Sequence, residues 1–499
     1  MNQVRYAKRN DAIGVRSATL KAAGIRWPHG LQEGMDRTLT CIDERAVDRL
    51  IDREQARFRE THPKSAQAWA RGRTHFLYGG PSHWMRRWAG GFPIYVASAK
   101  GAHIVDIDGR AYVDFCLGDT GGMCGHGPEP VTAAAARQLA NGASTMLPTE
   151  DSLWVGEELA RRFPLPYWML TTSATDANRA AIRMARIITG RAKVLVFSGC
   201  YHGGVEEAHV ELVDGEMRLR NMIHPNGVDH AQISRVVEFN DIEAVKGALA
   251  HGDVACVLTE PVMTNFGMIP PQPGFHAALR AATRKAGALL IVDETHTISC
   301  GVGGYTRDQG LEPDMITLGK AIAGGVPCGA LGASQEVAER MWAAAPMLNP
   351  KARQSAHLGM GGTLAGNALT VAAMRAVLAE VLTPEAYAGM IARAGRLAED
   401  ARRIIAKHEL SWHVTQVGAR CEIMFGPAAP RNGAESASMR QGGLETWLHA
   451  FYLNEGVLVT PFHTMLLMCP ATTDSDVARH GEVFNRFVET AVGEGAMIS

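Results

Sequence analysis

The chain has 499 residues, of which 46% are hydrophobic and 20% charged, and its formal net charge is −1 at pH 7. That length buries ample core and suits a large domain with smaller attachments, while a near-neutral balance gives no electrostatic footing for nucleic acid or an anionic membrane. No apolar run approaches membrane-spanning length, and the nine cysteines lack Cys-x-x-Cys spacing, so neither a disulfide framework nor a zinc cluster is expected and cytoplasmic residence is.

Residues 1–40 read as an N-terminal extension, basic through Arg5, Lys8, Arg9, Arg16, Lys21 and Arg26 against Asp11, and lacking the apolar centre of a secretory signal. Over 42–60, Ala46, Leu50, Ile51 and Phe58 recur at helical spacing among charges, which predicts an amphipathic helix. The stretches 94–96, 102–106 and 112–115 predict a small antiparallel sheet, with Asp108-Gly109 as a hairpin turn. From Trp154 the pattern changes. Strands over 168–172, 193–197, 254–259, 289–292 and 313–318 alternate with helices such as 175–188 and 276–286, as in a mainly parallel sheet covered by helices. A helix over 369–382 leads to a mixed C-terminal part with strands at 413–415 and 421–425.

The most telling stretch is 289–320. The apolar run Leu289-Leu290-Ile291-Val292 ends in Asp293-Glu294, and a second run ends in Leu318-Gly319-Lys320 followed by small residues. Ligands of open α/β sheets bind at strand ends. A lysine without an anchoring partner suits a Schiff-base nucleophile, and a buried carboxylate suits a pyridine nitrogen. A helix cap at Asp293 and a snorkelling Lys320 fit the same residues, so the rest of the chain has to decide. Glu294, next to Asp293, is expected to point away from it.

Three further segments bear on that decision. Ser173-Ala174-Thr175-Asp176 joins a strand to a helix, a place where free N–H groups and the helix dipole attract an anion, although Ser-x-x-Asp is also a plain N-cap. Gly199-Cys200-Tyr201-His202-Gly203-Gly204 lets the backbone approach a flat ligand that Tyr201 stacks on, and a core Tyr-His pair reads the same way. Glu260, before Pro261, places another carboxylate at a strand end.

In this order the segments resemble the class III pyridoxal-phosphate aminotransferases of fold type I, over about 92–483, and most of all their glutamate-1-semialdehyde aminomutase and β-amino-acid aminotransferase branch. The resemblance implies a large domain with a mainly parallel sheet covered by helices, plus a smaller α+β domain built from N- and C-terminal segments. The corresponding division is 1–40 extension, 41–130 N-terminal helix and small-domain segment, 131–345 large cofactor-binding domain, 346–382 linker and returning helix, and 383–499 C-terminal small domain. It further implies that Lys320 carries pyridoxal phosphate as an internal aldimine and shuttles the proton, and that Asp293 holds the ring nitrogen protonated. Ser173, Ala174 and Thr175 would receive the phosphate. Tyr201 and Thr295 would take the two ring faces, with His202 and Glu260 beside them and His296 donating to the phenolic oxygen. Thr363, in Gly361-Gly362-Thr363, would reach the phosphate of a second subunit, which requires a homodimer.

The chain also departs from the family pattern. Ala174 replaces a usual glycine, and a left-handed backbone there would cost about 1–2 kcal/mol; Asp176, Thr295 and His296 are further departures. Trp84 stands where the branch often has a carboxylate-binding arginine, leaving Arg87 and Arg420 as candidate acid-group contacts and Trp84 and Met123 as apolar pocket candidates. The expected function is transfer of an amino group from a β-amino acid or apolar amine to a keto acid or aldehyde. The alternatives are an aminomutase of the glutamate-1-semialdehyde type and, from another class, a non-catalytic binding protein on this fold, against which the presence of both Asp293 and Lys320 speaks.

Overall fold

The charged, periodic stretch after residue 41 forms helix α1, Glu44–Thr61, whose N-cap Asp43 accepts from the Arg45 and Ala46 amides and whose apolar stripe is buried. The structure is a computed structural model that describes residues 41–220, 223, 225–344 and 359–498. The expected extension 1–40 lies outside the described residues, as does 346–358 at the start of the expected linker.

Seven strands make the central sheet: β1 Tyr167–Thr171, β2 Lys193–Phe197, β3 Ser234–Val237, β4 Val254–Thr259, β5 Leu289–Asp293, β6 Met315–Gly319 and β7 Gly329–Ala333. Their spatial order is β1-β7-β6-β5-β4-β2-β3. Neighbours pair in parallel from β6 to β3, and β7 runs antiparallel to both β6 and β1. The central strands β4, β5 and β6 are buried along their whole length, which is why their sequences are continuous apolar runs rather than alternating ones. Helix α2, Ala174–Thr189, packs across β7, β6 and β4, while α3, Phe275–Ala286, lies against β5. The expected mainly parallel, helix-covered sheet is thus observed.

Strand β7 carries no apolar run to announce it, because its residues are small for packing reasons. A Cβ on Gly329 would lie 2.2 Å from the Ser173 carbonyl oxygen, and one on Gly332 would lie 2.7 Å from the Trp168 ring. A smaller sheet joins both ends of the chain. Strands Val96–Lys100, His103–Asp106 and Ala111–Asp114 form an antiparallel meander through the expected Asp108-Gly109 turn, and Val457–Leu458 adds to it in parallel. The first of these strands lies a few residues later than the expected 94–96. Strands His413–Val417, Arg420–Met424 and Met465–Leu467 form a third, antiparallel sheet. The helix expected over 369–382 is Ala368–Ala376 continued by a π-helical turn, Val377–Val381. Among the described residues no helix is long and apolar enough to cross a membrane.

Candidate active site

The C-terminal ends of β1, β2, β4, β5 and β6 converge on a cavity of about 520 Å³. Every cofactor candidate named from the sequence lines it, except Thr363.

Asp293 closes β5 and is buried. Its Oδ2 accepts from Asn178 Nδ2 at 2.8 Å and lies 2.9 Å from His202 Nδ1, and its Oδ1 accepts from the Thr295 amide at 3.0 Å. Burial works against ionisation, yet the hydrogen bond and charge of His202, with the Thr295 and Asn178 donors, bring its carboxyl down to about 2. An ionised carboxylate fixed this way is suited to hold a proton on a heteroaromatic nitrogen. Glu294 points elsewhere, as alternation along a strand requires, and accepts from Thr297 Oγ1 and the Tyr305 and Thr306 amides.

Lys320 follows β6 directly, in a left-handed conformation with φ 51°. Its Nζ donates to Asp119 Oδ2 at 2.8 Å and contacts His296 Nε2. The imidazole is oriented from behind: Thr264 Oγ1 lies 2.5 Å from both His296 Nδ1 and Glu260 Oε2. With the single hydroxyl proton of Thr264 given to Glu260, Nδ1 carries the imidazole proton and Nε2 is left to accept from Lys320. Burial and the neighbouring Lys320 charge hold His296 down to about 4, so it is neutral at pH 7. Burial raises Glu260.

The turn into α2 satisfies both of its sequence readings. Ser173 is the N-cap, its Oγ accepting from the Asp176 amide at 3.2 Å, and the same turn presents the N-terminus of a 16-residue helix to the cavity. Ala174 does not have positive φ, so alanine carries no strain there. It does press on the lysine strand: a Cβ on Gly319 would lie 2.7 Å from the Ala174 Cβ. Across the cavity, Thr175 Oγ1 accepts from the Gly204 amide at 3.2 Å, and a Cβ on Gly203 would lie 1.9 Å from that oxygen. Two buried polar atoms on the cavity residues, His202 Nε2 and Thr295 Oγ1, have no protein partner, which fits a polar, flat ligand between them.

The substrate candidates fall outside the cavity lining. Trp84 sits on the short 3₁₀ turn His83–Arg86 and is partly exposed, and the Arg87 guanidinium lies over the Phe462 ring at 5.0 Å. Met123 is wholly buried and belongs to the core, which selects the same residue type as an apolar pocket would. Arg420 is a clamp rather than an open acid-group contact: it donates to Ser299 Oγ at 2.9 Å, Thr120 Oγ1 at 2.9 Å and the His296 carbonyl at 2.8 Å, and is fully buried. Sequence reasoning missed Asp119, Thr264 and Asn265, whose Nδ2 lies 3.4 Å from Glu260. The glycine-rich run Gly118-Asp119-Thr120-Gly121-Gly122 was a readable signal for the first; the other two have none beyond nearness to Glu260.

A model of the class-III aminotransferases matches residues 84–489. Glutamate-1-semialdehyde 2,1-aminomutase 2 of Brevibacillus brevis is 33% identical over 428 residues, which is 83% of this chain and 96% of the relative. A crystal structure of a glutamate-1-semialdehyde aminomutase from Pseudomonas aeruginosa, in complex with PMP, is 54% identical with a TM-score of 0.88, covering 90% of this chain and 99% of that one. A β-phenylalanine aminotransferase from Variovorax paradoxus is 27% identical with a TM-score of 0.78, covering 90% and 98%. On sequence, fold and the residues gathered at its cavity, the chain belongs to the class-III aminotransferase family.

Proposed function

We propose that this protein isomerises a small amino-carbonyl compound by exchanging the positions of its amino and carbonyl groups, as an aminomutase of the glutamate-1-semialdehyde type. The observation that carries this reading is the 54% identity to the Pseudomonas aminomutase across 90% of the chain. The expectation of transfer from a β-amino acid or amine to a keto acid or aldehyde gives way to it, since the β-phenylalanine aminotransferase stands at 27%.

The cofactor is pyridoxal phosphate, and when bound it supplies a carbonyl carbon that exchanges amino groups and a ring that withdraws electrons. In this reading Lys320 holds it covalently and, once released, carries the proton between carbons. Asp293 keeps the ring nitrogen protonated. Ser173, Ala174 and Thr175 bind the phosphate at the N-terminus of α2, Tyr201 and Thr295 take the ring faces with His202 beneath, and His296 and Asn265 stand on the phenolic side with Glu260 behind them. Thr363 completes the phosphate site of a second subunit in a homodimer. The test supplies glutamate-1-semialdehyde as sole substrate to the cofactor-loaded protein. Expected is stoichiometric conversion to its isomer with no keto acid released; turnover that requires an added amino donor or acceptor overturns the reading.

A further inference from the structure

One carboxylate pairs directly with Lys320, and that residue, Asp119, has no part in the roles assigned above. It lies in a strained turn, where Leu117, Asp119 and Thr120 have φ of 44°, 51° and 84°. Non-glycine residues seldom adopt such angles, and a β-branched one almost never does. The turn is held at both ends. Asp114 Oδ1 accepts from the Cys116 and Leu117 amides at 2.8 Å each, and Arg420 ties Thr120 Oγ1 to the His296 carbonyl. What the strain delivers is a carboxylate with Oδ2 2.8 Å from Lys320 Nζ and 3.6 Å from His296 Nε2, and with a buried Oδ1 that has no hydrogen-bond partner.

Lys320 Nζ marks the position of the reacting nitrogen. While the released lysine serves as a neutral proton carrier, Asp119 lacks an ammonium partner, and a carboxylate with one oxygen buried and unpartnered draws in the next available cation. Atom balance says what that cation is. A ligand whose amino and carbonyl groups exchange places first has its carbonyl carbon reduced to an amine, the nitrogen coming from the amine form of the cofactor, whose own carbon is oxidised to the carbonyl. The ligand then carries nitrogen on two adjacent carbons until the original one is surrendered in the reverse exchange. Such nitrogens lie roughly 3 Å apart, given bonds of about 1.5 Å, which sets the second ammonium within hydrogen-bond reach of the carboxylate that pairs Lys320.

We propose that Asp119 is the receptor for the second ammonium of a vicinal diamine, so that the half-converted ligand is retained in the cavity while its other nitrogen reacts. The proposal rests on the aminomutase reading and deepens it, because a simple amine donor offers no group for this carboxylate.

The test titrates the cofactor-loaded protein with ethylenediamine and with ethylamine, reading affinity from the cofactor's visible absorbance and from calorimetry. The wild-type protein is expected to bind the diamine about tenfold more tightly, the size of one charge-assisted hydrogen bond. In Asp119→Asn the ratio falls to about one. Asparagine tolerates the left-handed backbone at this position, and Asp119→Gly, which relieves the strain at this one residue, is expected to give the same result. A diamine preference that is absent from the wild type, or that survives in both variants, overturns the proposal. If it is overturned while a single substrate is still isomerised, the aminomutase reading stands alone. If no amine perturbs the absorbance and no isomerisation occurs, both fall.

Discussion

Asp293 lines the cavity and Asp119 pairs with Lys320 at its wall, and the two are built in opposite ways. Asp293 ends a regular parallel strand in the middle of the sheet, and both its oxygens are bonded, to Asn178, His202 and Thr295. Asp119 rides a left-handed turn that follows the strand Ala111–Asp114, with one oxygen on Lys320 and the other unpartnered. A carboxylate held by protein donors on both oxygens serves as a fixed charge. One left half-satisfied can change partners as the ligand changes. Regular structure therefore supplies the constant part of this site, and strained structure supplies the exchangeable part.

The contrast is broken most severely at Arg420. Arg420→Met removes the donor shared by Thr120 and His296 and leaves their oxygens and Ser299 buried without it. A loss of about 3–5 kcal/mol in unfolding free energy is expected from such a buried polar hub, measured by urea denaturation, with the diamine preference lost in whatever folds. A loss below about 1 kcal/mol means the turn does not depend on the clamp. The next largest effect is on the other side of the site. Asp293→Asn exchanges a charge-assisted bond of about 1.5–3 kcal/mol for a neutral one of about 1 kcal/mol. Turnover should drop several-fold or more, with cofactor affinity falling less; equal losses in both count against a role for the charge in chemistry.

The smallest effect is a slope. Burial and Lys320 hold His296 near 4 against an ordinary 6.5, so the unfolded chain takes up this proton first as pH falls. The contribution to stability is complete above 6.5 and is lost as pH falls toward about 4, by about 1.4 kcal/mol per pH unit within that window. His296→Gln should flatten the pH dependence of unfolding there by one proton, as read from denaturation midpoints at stepped pH. An unaltered slope shows that the imidazole titrates normally and does not sit neutral against Lys320.

Much of the fold could be read in advance where periodicity is strong. The buried runs of β4, β5 and β6 and the stripes of α1, α2 and α3 declare themselves, because each buries a face or a whole strand. Strand β7 was hidden because close approach to Ser173 and Trp168 leaves room for glycine and alanine but not for the β-branched residues that mark a strand.

The site divides along the same line. By itself the sequence determined the strand-end residues, Asp293, Lys320, Ser173, Tyr201 and Glu260, since chain direction and strand length place them at one edge of a parallel sheet. Only the tertiary structure decided what stands opposite Lys320. Asp119 is 201 residues away in sequence, in a turn fixed on one side by Asp114 and on the other by Arg420 from another sheet. It also took Arg420 from a candidate ligand contact to a clamp. A sequence pattern records which face a residue turns to its own element; pairings between distant, strained segments are fixed by packing and buried hydrogen bonds that leave no period behind.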